Sequence, residues 1–269
     1  MATVTTTPDA AADTTSPTSG APAPGPSRRA RFARRFGTPL ALSAVVLGLY
    51  VYIQAGPPLS STEARLLNPE RITEELVRHI QLTLVATAIV LLIAVPLGVL
   101  LTRPAFRRAR APLLAVANGG QAIPSIGLLV LLAVYGFLGF RAAIVGLVAY
   151  SVLPILRNTM VGLEQVDASV IDAARGMGLS KRQTLLRVEL PLSVPVIAAG
   201  IRTALVLIVG TATLATFINA GGLGDFIDTA IRLRLQRVLN VGTIMTAVLA
   251  LFIDYLGGVL EDMLRPRGL

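Results

Sequence analysis

Few residues in this chain can do chemistry. There is no cysteine and the only histidine is His79, so disulfides and thiolate metal sites are excluded and histidine-based catalysis or zinc chemistry is implausible. Gly178-Leu179-Ser180-Lys181 has neither the spacing of a phosphate-binding loop nor a strand before it, and no Gly-x-x-x-x-Gly-Lys-Ser/Thr run occurs elsewhere. What remains is charge. It is concentrated in residues 167–191, DASVIDAARGMGLSKRQTLLRVELP, which hold Asp167, Asp172, Arg175, Lys181, Arg182, Arg187 and Glu189. It recurs in two isolated groups, Arg202 and Asp254, set within apolar runs. The first pattern suits docking on another protein, and the second suits an ion pair inside a membrane.

The stretch 167–191 lies between two apolar runs long enough to cross a bilayer, and its seven charges exclude it from lipid, so it is an exposed loop. Ala168 to Arg175 reads as a helix closed at Gly176 and Gly178, either of which can take the left-handed conformation that ends a helix. Ser180 with Gln183 three residues on has the form of a capping box. It starts a second short helix, with Leu185, Leu186 and Leu190 on one side and Lys181, Arg182 and Arg187 largely on the other. Pro191 is expected to stop that helix. Two short helices joined at glycines make a rigid protrusion for another protein's groove; the plainer alternative is a charged loop lying on the membrane surface.

The elements that hold these groups are membrane spans. Hydrophobic residues make up 54% of the 269, and the mean hydropathy is +0.71. A soluble domain has about 45–50%. The net charge of +9 is accounted for by Lys and Arg gathered on the cytoplasmic side for orientation, and nucleic acid is not an expected partner. Residues 1–37 form a basic tail, expected to be disordered over its Thr-, Ala- and Pro-rich first 27 residues, with Arg28, Arg29, Arg31, Arg34 and Arg35 at its end. Residues 38–55 are a first span. A cleavable signal, with SRRARF resembling a twin-arginine pattern, is the alternative, but the run is long and Ile53-Gln54-Ala55 is a poor cleavage site. Residues 56–79 are an extracytoplasmic connection containing the helix-like PERITEELVRH.

Residues 80–264 carry the remaining spans, with the loop bounded at 164–193, and 265–269 are a tail. Span two runs from Ile80 to Leu101, with His79 at its mouth as an interfacial residue. Span three, 111–138, is interrupted by Gly119-Gly120-Gln121-Ala122-Ile123-Pro124-Ser125. That is either a proline kink or a break tolerated only where freed backbone groups face protein or a water-filled cavity. Spans four (142–160), five (195–219, opening at Pro195) and six (238–260) follow. With the N-terminus inside, the inside segments hold sixteen Lys and Arg and the outside segments seven, which supports six spans with both termini cytoplasmic. Arg232, Arg234 and Arg237 run against that bias and suggest an outer helix that meets a partner. Arg202 and Asp254 lie at similar depth, about 12–14 Å from the cytoplasmic ends of spans five and six. They are expected to pair and pin the two spans; the alternative is that each snorkels separately.

The loop resembles the cytoplasmic signature of the membrane subunits of binding-protein-dependent ABC importers, which runs Glu-Ala-Ala, three residues, Gly, nine residues, Ile, one residue, Leu-Pro. Here Asp172-Ala173-Ala174 is followed at that spacing by Gly178, Val188 and Leu190-Pro191, with Asp172 for Glu and Val188 for Ile. Segments 121–132, 150–167 and 200–225 are similar to permeases for glycine betaine, choline, carnitine and related quaternary ammonium compounds. The resemblance implies an all-α membrane protein with six transmembrane helices, type I ABC importer permease-like, in the bacterial cytoplasmic membrane. It implies no cofactor in this chain, with ATP and Mg on partner ABC ATPase subunits. It also implies a second permease subunit, identical or paralogous, and a separate extracytoplasmic substrate-binding protein.

On this resemblance Asp172, Ala173, Ala174, Arg175, Gly178, Leu190 and Pro191 dock the ATPase. Gln121, Ser125, Thr211, Thr213, Thr216 and Asn219 are candidates for a polar lining of the translocation path, unless their hydroxyls and amides bond their own helix or a neighbour. A permease for methionine or another amino acid would fit the loop equally well. A secondary transporter would call for ionisable residues at the midplane and repeated halves, neither of which is clear, and a non-transport scaffold would leave the broken third span without a purpose.

Overall fold

The computed structural model describes residues 28–264, of which 28–35 are described as helix only. The expectations for the tail 1–27, for the arginine side chains at 28–35 and for residues 265–269 lie outside the described residues. Helix α1 (Arg28–Ala55) carries the first apolar run, and the short α2 (Ser61–Leu66) follows. Helix α3 (Pro69–Leu101) is 33 residues long, or about 50 Å at the α-helical rise. A hydrocarbon core is about 30 Å thick. The PERITEELVRH segment is therefore not a separate connection: it is the first turns of the second span, started by Asn68, whose Oδ1 accepts from the Arg71 N–H at 2.7 Å, with Pro69 in the first turn.

A 3-10 turn (Pro104–Phe106) leads to α4 (Arg107–Ala122) and α5 (Ser125–Val134), whose axes are bent by 90°. This is a break rather than a kink. Ile123 is extended (φ −72°, ψ 130°), as the residue before a proline favours, and neither Ile123 nor Pro124 is helical. Helix α6 (Gly139–Glu164) comes next, followed by the loop helices α7 (Ala168–Gly176) and α8 (Lys181–Thr184).

Here the structure corrects the sequence. Pro191 does not stop the second loop helix, and span five does not open at Pro195. Helix runs without interruption from Lys181 to Ile218, through a π-turn at Leu185–Glu189, α9 (Leu190–Ala212) and a 3-10 segment at Thr213–Ile218. The Leu190 N–H bonds to Leu185 O, so the ladder changes register just before Pro191, where a missing N–H is least disruptive. Helix α10 (Gly224–Leu233) buries Gly224, Phe226 and Ala230, and α11 (Gln236–Leu264) is the last span.

The helices α3, α6 and α9 form the centre. Gly98 faces Thr159 and Gly200 faces Asn158, small residues that let helix axes close. The hydroxyls of Thr83, Thr87, Ser151, Thr159 and Ser193 are buried in this centre, and each donates to the carbonyl four residues earlier, so none needs a distant partner. Helix α5 lays Leu129 over Gly146 of α6 and shares a core with Ala215 and Ile218. Helix α1 is peripheral. Leu42 and Leu49 are buried while most of its other apolar residues are exposed, and it lies along α11 with Asn240 Nδ2 donating to the Tyr52 hydroxyl at 3.1 Å.

Candidate functional site

The loop at 164–193 is built as two capped helices. Asp167 caps α7, its carboxylate accepting from the Ser169 N–H at 2.8 Å, and that bond holds the Asp167 carboxyl below the usual carboxylate range. The capping box at Ser180 and Gln183 is complete: Ser180 Oγ accepts from the Gln183 N–H, and Gln183 Oε1 accepts from the Ser180 N–H at 2.9 Å. Between them Gly178 sits at φ +88°, the left-handed conformation that closes α7. Its N–H donates to Arg175 O at 2.9 Å, and the Leu179 N–H donates to Ala174 O at 3.2 Å.

Exposure divides the seven docking candidates. Asp172, Ala173, Arg175 and Gly178 are exposed on α7 and its end. Ala174 is 2% exposed, so it packs beneath α7 within this chain and is not presented to a partner. Leu190 is half-buried and Pro191 exposed at the root of α9, one helix away from the α7 face. One residue of the presented surface was not marked by the sequence: Met177, at the turn, is 76% exposed. Its signal was an apolar side chain between two glycines at a helix end.

The path candidates do not form one lining in this chain. Gln121 Nε2 donates to Tyr150 O at 3.1 Å, which ties the end of α4 to α6, and Ser125 is half-buried at the start of α5. Thr211 is buried. Thr213 donates to Gly210 O at 2.7 Å, and the Thr216 hydroxyl donates to an Asp225 carboxylate oxygen. Asn219 is exposed in a left-handed conformation (φ 60°, ψ 37°) at the end of the 3-10 segment. Gln121 thus precedes the break and Ser125 follows it, and the 3-10 segment that packs on α5 carries Thr213 and Thr216 and is capped by Asn219.

Arg202 and Asp254 meet. Arg202 Nε donates to Asp254 Oδ1 at 2.5 Å and Nη2 to Oδ2 at 2.6 Å, a two-point pair between α9 and α11, with Glu261 at 3.8 Å. A planar guanidinium and a carboxylate in this register satisfy each other where water is scarce. The losses of folded yield from Arg202→Ala and Asp254→Ala are expected to be non-additive by about 1–3 kcal/mol in a double-mutant cycle; strict additivity would show that the pair contributes nothing.

Residues 94–267 match the family described as binding-protein-dependent transport system inner membrane component. The chain belongs to this family. The permease is 40% identical over 191 residues to the choline transport system permease protein OpuBB of Bacillus subtilis, covering 71% of this chain and 87% of that protein. It is 38% identical over 192 residues to the carnitine transport permease protein OpuCB of Listeria monocytogenes, covering 71% and 87%. It is 37% identical over 228 residues to the osmoprotectant import permease protein OsmY of Salmonella typhimurium, covering 85% and 95%. In fold it is similar to the membrane protein of an inward-facing structure of the MetNI methionine ABC transporter, with a TM-score of 0.67 over 77% of this chain and all of that one, at 24% identity.

At the end of the permease opposite the loop lies a cluster that the sequence did not reveal. His79 is fully buried rather than interfacial: its Nε2 donates to Val209 O at 3.0 Å, and its Nδ1 accepts from the Leu223 N–H at 3.2 Å. Glu75, one helical turn earlier, accepts from the Gly222 N–H at 2.6 Å and from Arg71 Nη2 at 2.6 Å. Arg78 donates to Ala220 O at 3.2 Å and lies 5.3 Å over the Phe140 ring. One face of α3 thus clamps the backbone of the turn at 220–224. Replacing His79 with Ala would leave the Leu223 N–H buried without its partner, at about 1–3 kcal/mol, and would remove the bond that ties α3 to the Val209 carbonyl of α9. The expected result is a clear fall in the melting temperature of the detergent-solubilised protein; an unchanged melting temperature would show the clamp to be idle.

The three arginines near the same end have separate tasks. Arg232 pairs with Asp228 at 2.8 Å, Arg234 ends α10 in a left-handed conformation, and Arg237 Nη1 donates to Pro57 O at 2.8 Å, tying α11 to the turn after α1.

Proposed function

We propose that this chain is the membrane subunit of an ATP-driven importer of glycine betaine, choline, carnitine or similar compatible solutes, and that its 167–191 loop receives the stroke of a separate ATPase subunit. The observation that carries the docking role is the loop itself: two capped helices with an exposed face at Asp172, Ala173, Arg175 and Gly178, held at one end of a bundle of apolar helices. Such a surface is rigid before it meets a partner, so little conformational entropy is lost on binding.

The solute class rests on the names of the relatives, which transport choline, carnitine and osmoprotectants. The likeness to the methionine transporter is one of fold. ATP and Mg are bound by the partner ATPase, a second permease subunit completes the path, and a separate extracytoplasmic protein delivers the solute. Both termini are cytoplasmic, which places the loop beside the ATPase and the 220–224 clamp on the outer side. The broken third span and the 3-10 segment at Thr213–Ile218 contribute to the path.

The test is uptake of labelled glycine betaine under hyperosmotic conditions in cells lacking other betaine systems, with this chain deleted and restored. Restored uptake that choline or carnitine inhibits is the expected outcome. No difference between the two strains, or inhibition by methionine alone, would overturn the solute assignment.

A further inference from the structure

Two ion pairs bracket the docking loop, and both lead to the same place. At its start Glu164, the last residue of α6, takes a two-point pair from Arg110, with Nη1 to Oε1 at 2.5 Å and Nη2 to Oε2 at 3.3 Å. At its end Glu189, in the π-turn and 4% exposed, accepts from Arg103 Nη2 at 2.6 Å. Arg103 opens the 3-10 turn between α3 and α4, and Arg110 lies in the first turn of α4. This turn and the start of α4 therefore grip both ends of the segment that meets the ATPase.

From the turn the connection continues along α4. This helix lies antiparallel to α6, and above Arg110 it has two more polar rungs: Arg157 Nη2 donates to Asn118 Oδ1 at 2.6 Å, and Gln121 Nε2 donates to Tyr150 O at 3.1 Å. Helix α4 ends at the 90° break, beyond which α5 packs on the 3-10 segment Thr213–Ile218 through Leu129, Ala215 and Ile218. Most of the remaining surface of α4 is exposed, with Val116 at 74%, so α6 and the ion-paired turn are its main holds within the chain.

From this arrangement we infer that Arg103 and Arg110 are positioning residues that make α4 follow the docking loop, so that a displacement imposed by the ATPase reaches the broken span. Neither residue belongs to the docking signature. The inference rests on the docking role proposed above. Without the two pairs, the loop would move on its π-turn and on the end of α6 while α4 stayed behind. A rigid tie at both ends leaves no such slack, because a segment held at one end can pivot and a segment held at two cannot.

The test follows α4 directly. The chain has no cysteine, so Val116→Cys, labelled before assembly, carries one nitroxide per copy of this chain into the complex with its ATPase. Adding ATP and Mg is expected to change the nitroxide spectrum. In Arg103→Gln and Arg110→Gln that change should be about three-fold or more smaller, with complex assembly and ATP hydrolysis retained. The exposed pair is the safer one for folding, since exposed pairs contribute little to stability. Its reversal, Arg110→Glu with Glu164→Arg, should restore the response that Arg110→Glu alone removes, which a merely structural role would not predict.

A response unchanged in both Gln variants, or one that the reversed pair fails to restore, overturns the relay. So does a Val116 position that does not respond to ATP at all. Gly178→Leu separates the two ideas: a response that survives it overturns the docking role and the relay with it, whereas a response lost there but kept in both Gln variants overturns the relay alone. None of these readouts depends on which solute is carried.

Discussion

Gly178→Leu is expected to leave the permease folded and inserted while lowering affinity for the ATPase about 30-fold or more, with uptake falling in parallel. Gly178 sits at φ +88°, and a Cβ placed there would meet nothing within 4 Å in this chain. Within this chain the space is therefore open, and on the proposed docking role it is where the ATPase would approach. Two effects must be separated. Any L-residue in this conformation costs about 1–2 kcal/mol, and Asn is better tolerated there than most. Gly178→Asn controls for strain, Gly178→Ala adds strain with little bulk, and Gly178→Leu adds bulk on the presented surface. The expected order of uptake is Asn above Ala above Leu, with similar amounts of each variant in the membrane. Equal uptake in all three, measured beside pull-down of the ATPase, would show that nothing approaches this glycine.

Among the described glycines, Gly224→Ala should be the most damaging to fold stability. A Cβ at Gly224 would lie 1.9 Å from the Thr213 carbonyl oxygen and 2.7 Å from its carbon. Both are backbone atoms, so no rotamer change relieves the clash. The first turn of α10 would have to lift from the 3-10 segment that carries Thr213 and Thr216, breaking the bond between the Thr216 hydroxyl and Asp225. Overpacking costs about 1–3 kcal/mol where side chains can shift, and a backbone-to-backbone clash lies at or above the upper end. The expected result is a large loss of monodisperse protein after solubilisation. Gly210→Ala is the contrast: it is exposed in α9 with nothing within 4 Å of its added Cβ, and replacing Gly by Ala in a helix interior gains up to about 1 kcal/mol. Comparable yields from the two variants would contradict the close approach at Gly224.

Much of the docking loop is legible in the sequence because its signals are local. The capping box at Ser180 and Gln183, the helix from Ala168 and the left-handed glycine at 178 each depend on residues within one or two turns of each other. The interruption at Pro124 is legible in the same way, from a proline and two preceding glycines, but the sequence leaves open whether it is a kink or a break, and the 90° bend decides it. Even the meeting of Arg202 and Asp254 follows from their positions, because two opposite charges at matched depth in lipid have few other partners.

What the sequence misjudged turned on register and on contacts far apart in the chain. Pro191 read as a stop because a proline inside an α-helix costs a hydrogen bond, but a π-turn five residues long shifts the ladder before it and lets the helix continue. Charge in residues 69–79 read as a connection, although a helix can extend well beyond the bilayer with its charged turns in water. His79 read as interfacial because its value lies in bonds to Val209 and Leu223, 130 and 144 positions away. The pairs from Arg103 and Arg110 to the two ends of the loop were equally invisible, since a cluster of arginines after a span reads first as an orientation signal. By itself, then, the sequence determined where apolar helices run and where the loop helices start, through hydrophobic runs and short-range capping, but not where the second and fifth spans begin. Only the tertiary structure decided which carbonyls, amides and carboxylates meet across the bundle, because those contacts depend on how the helices pack and not on any spacing along the chain.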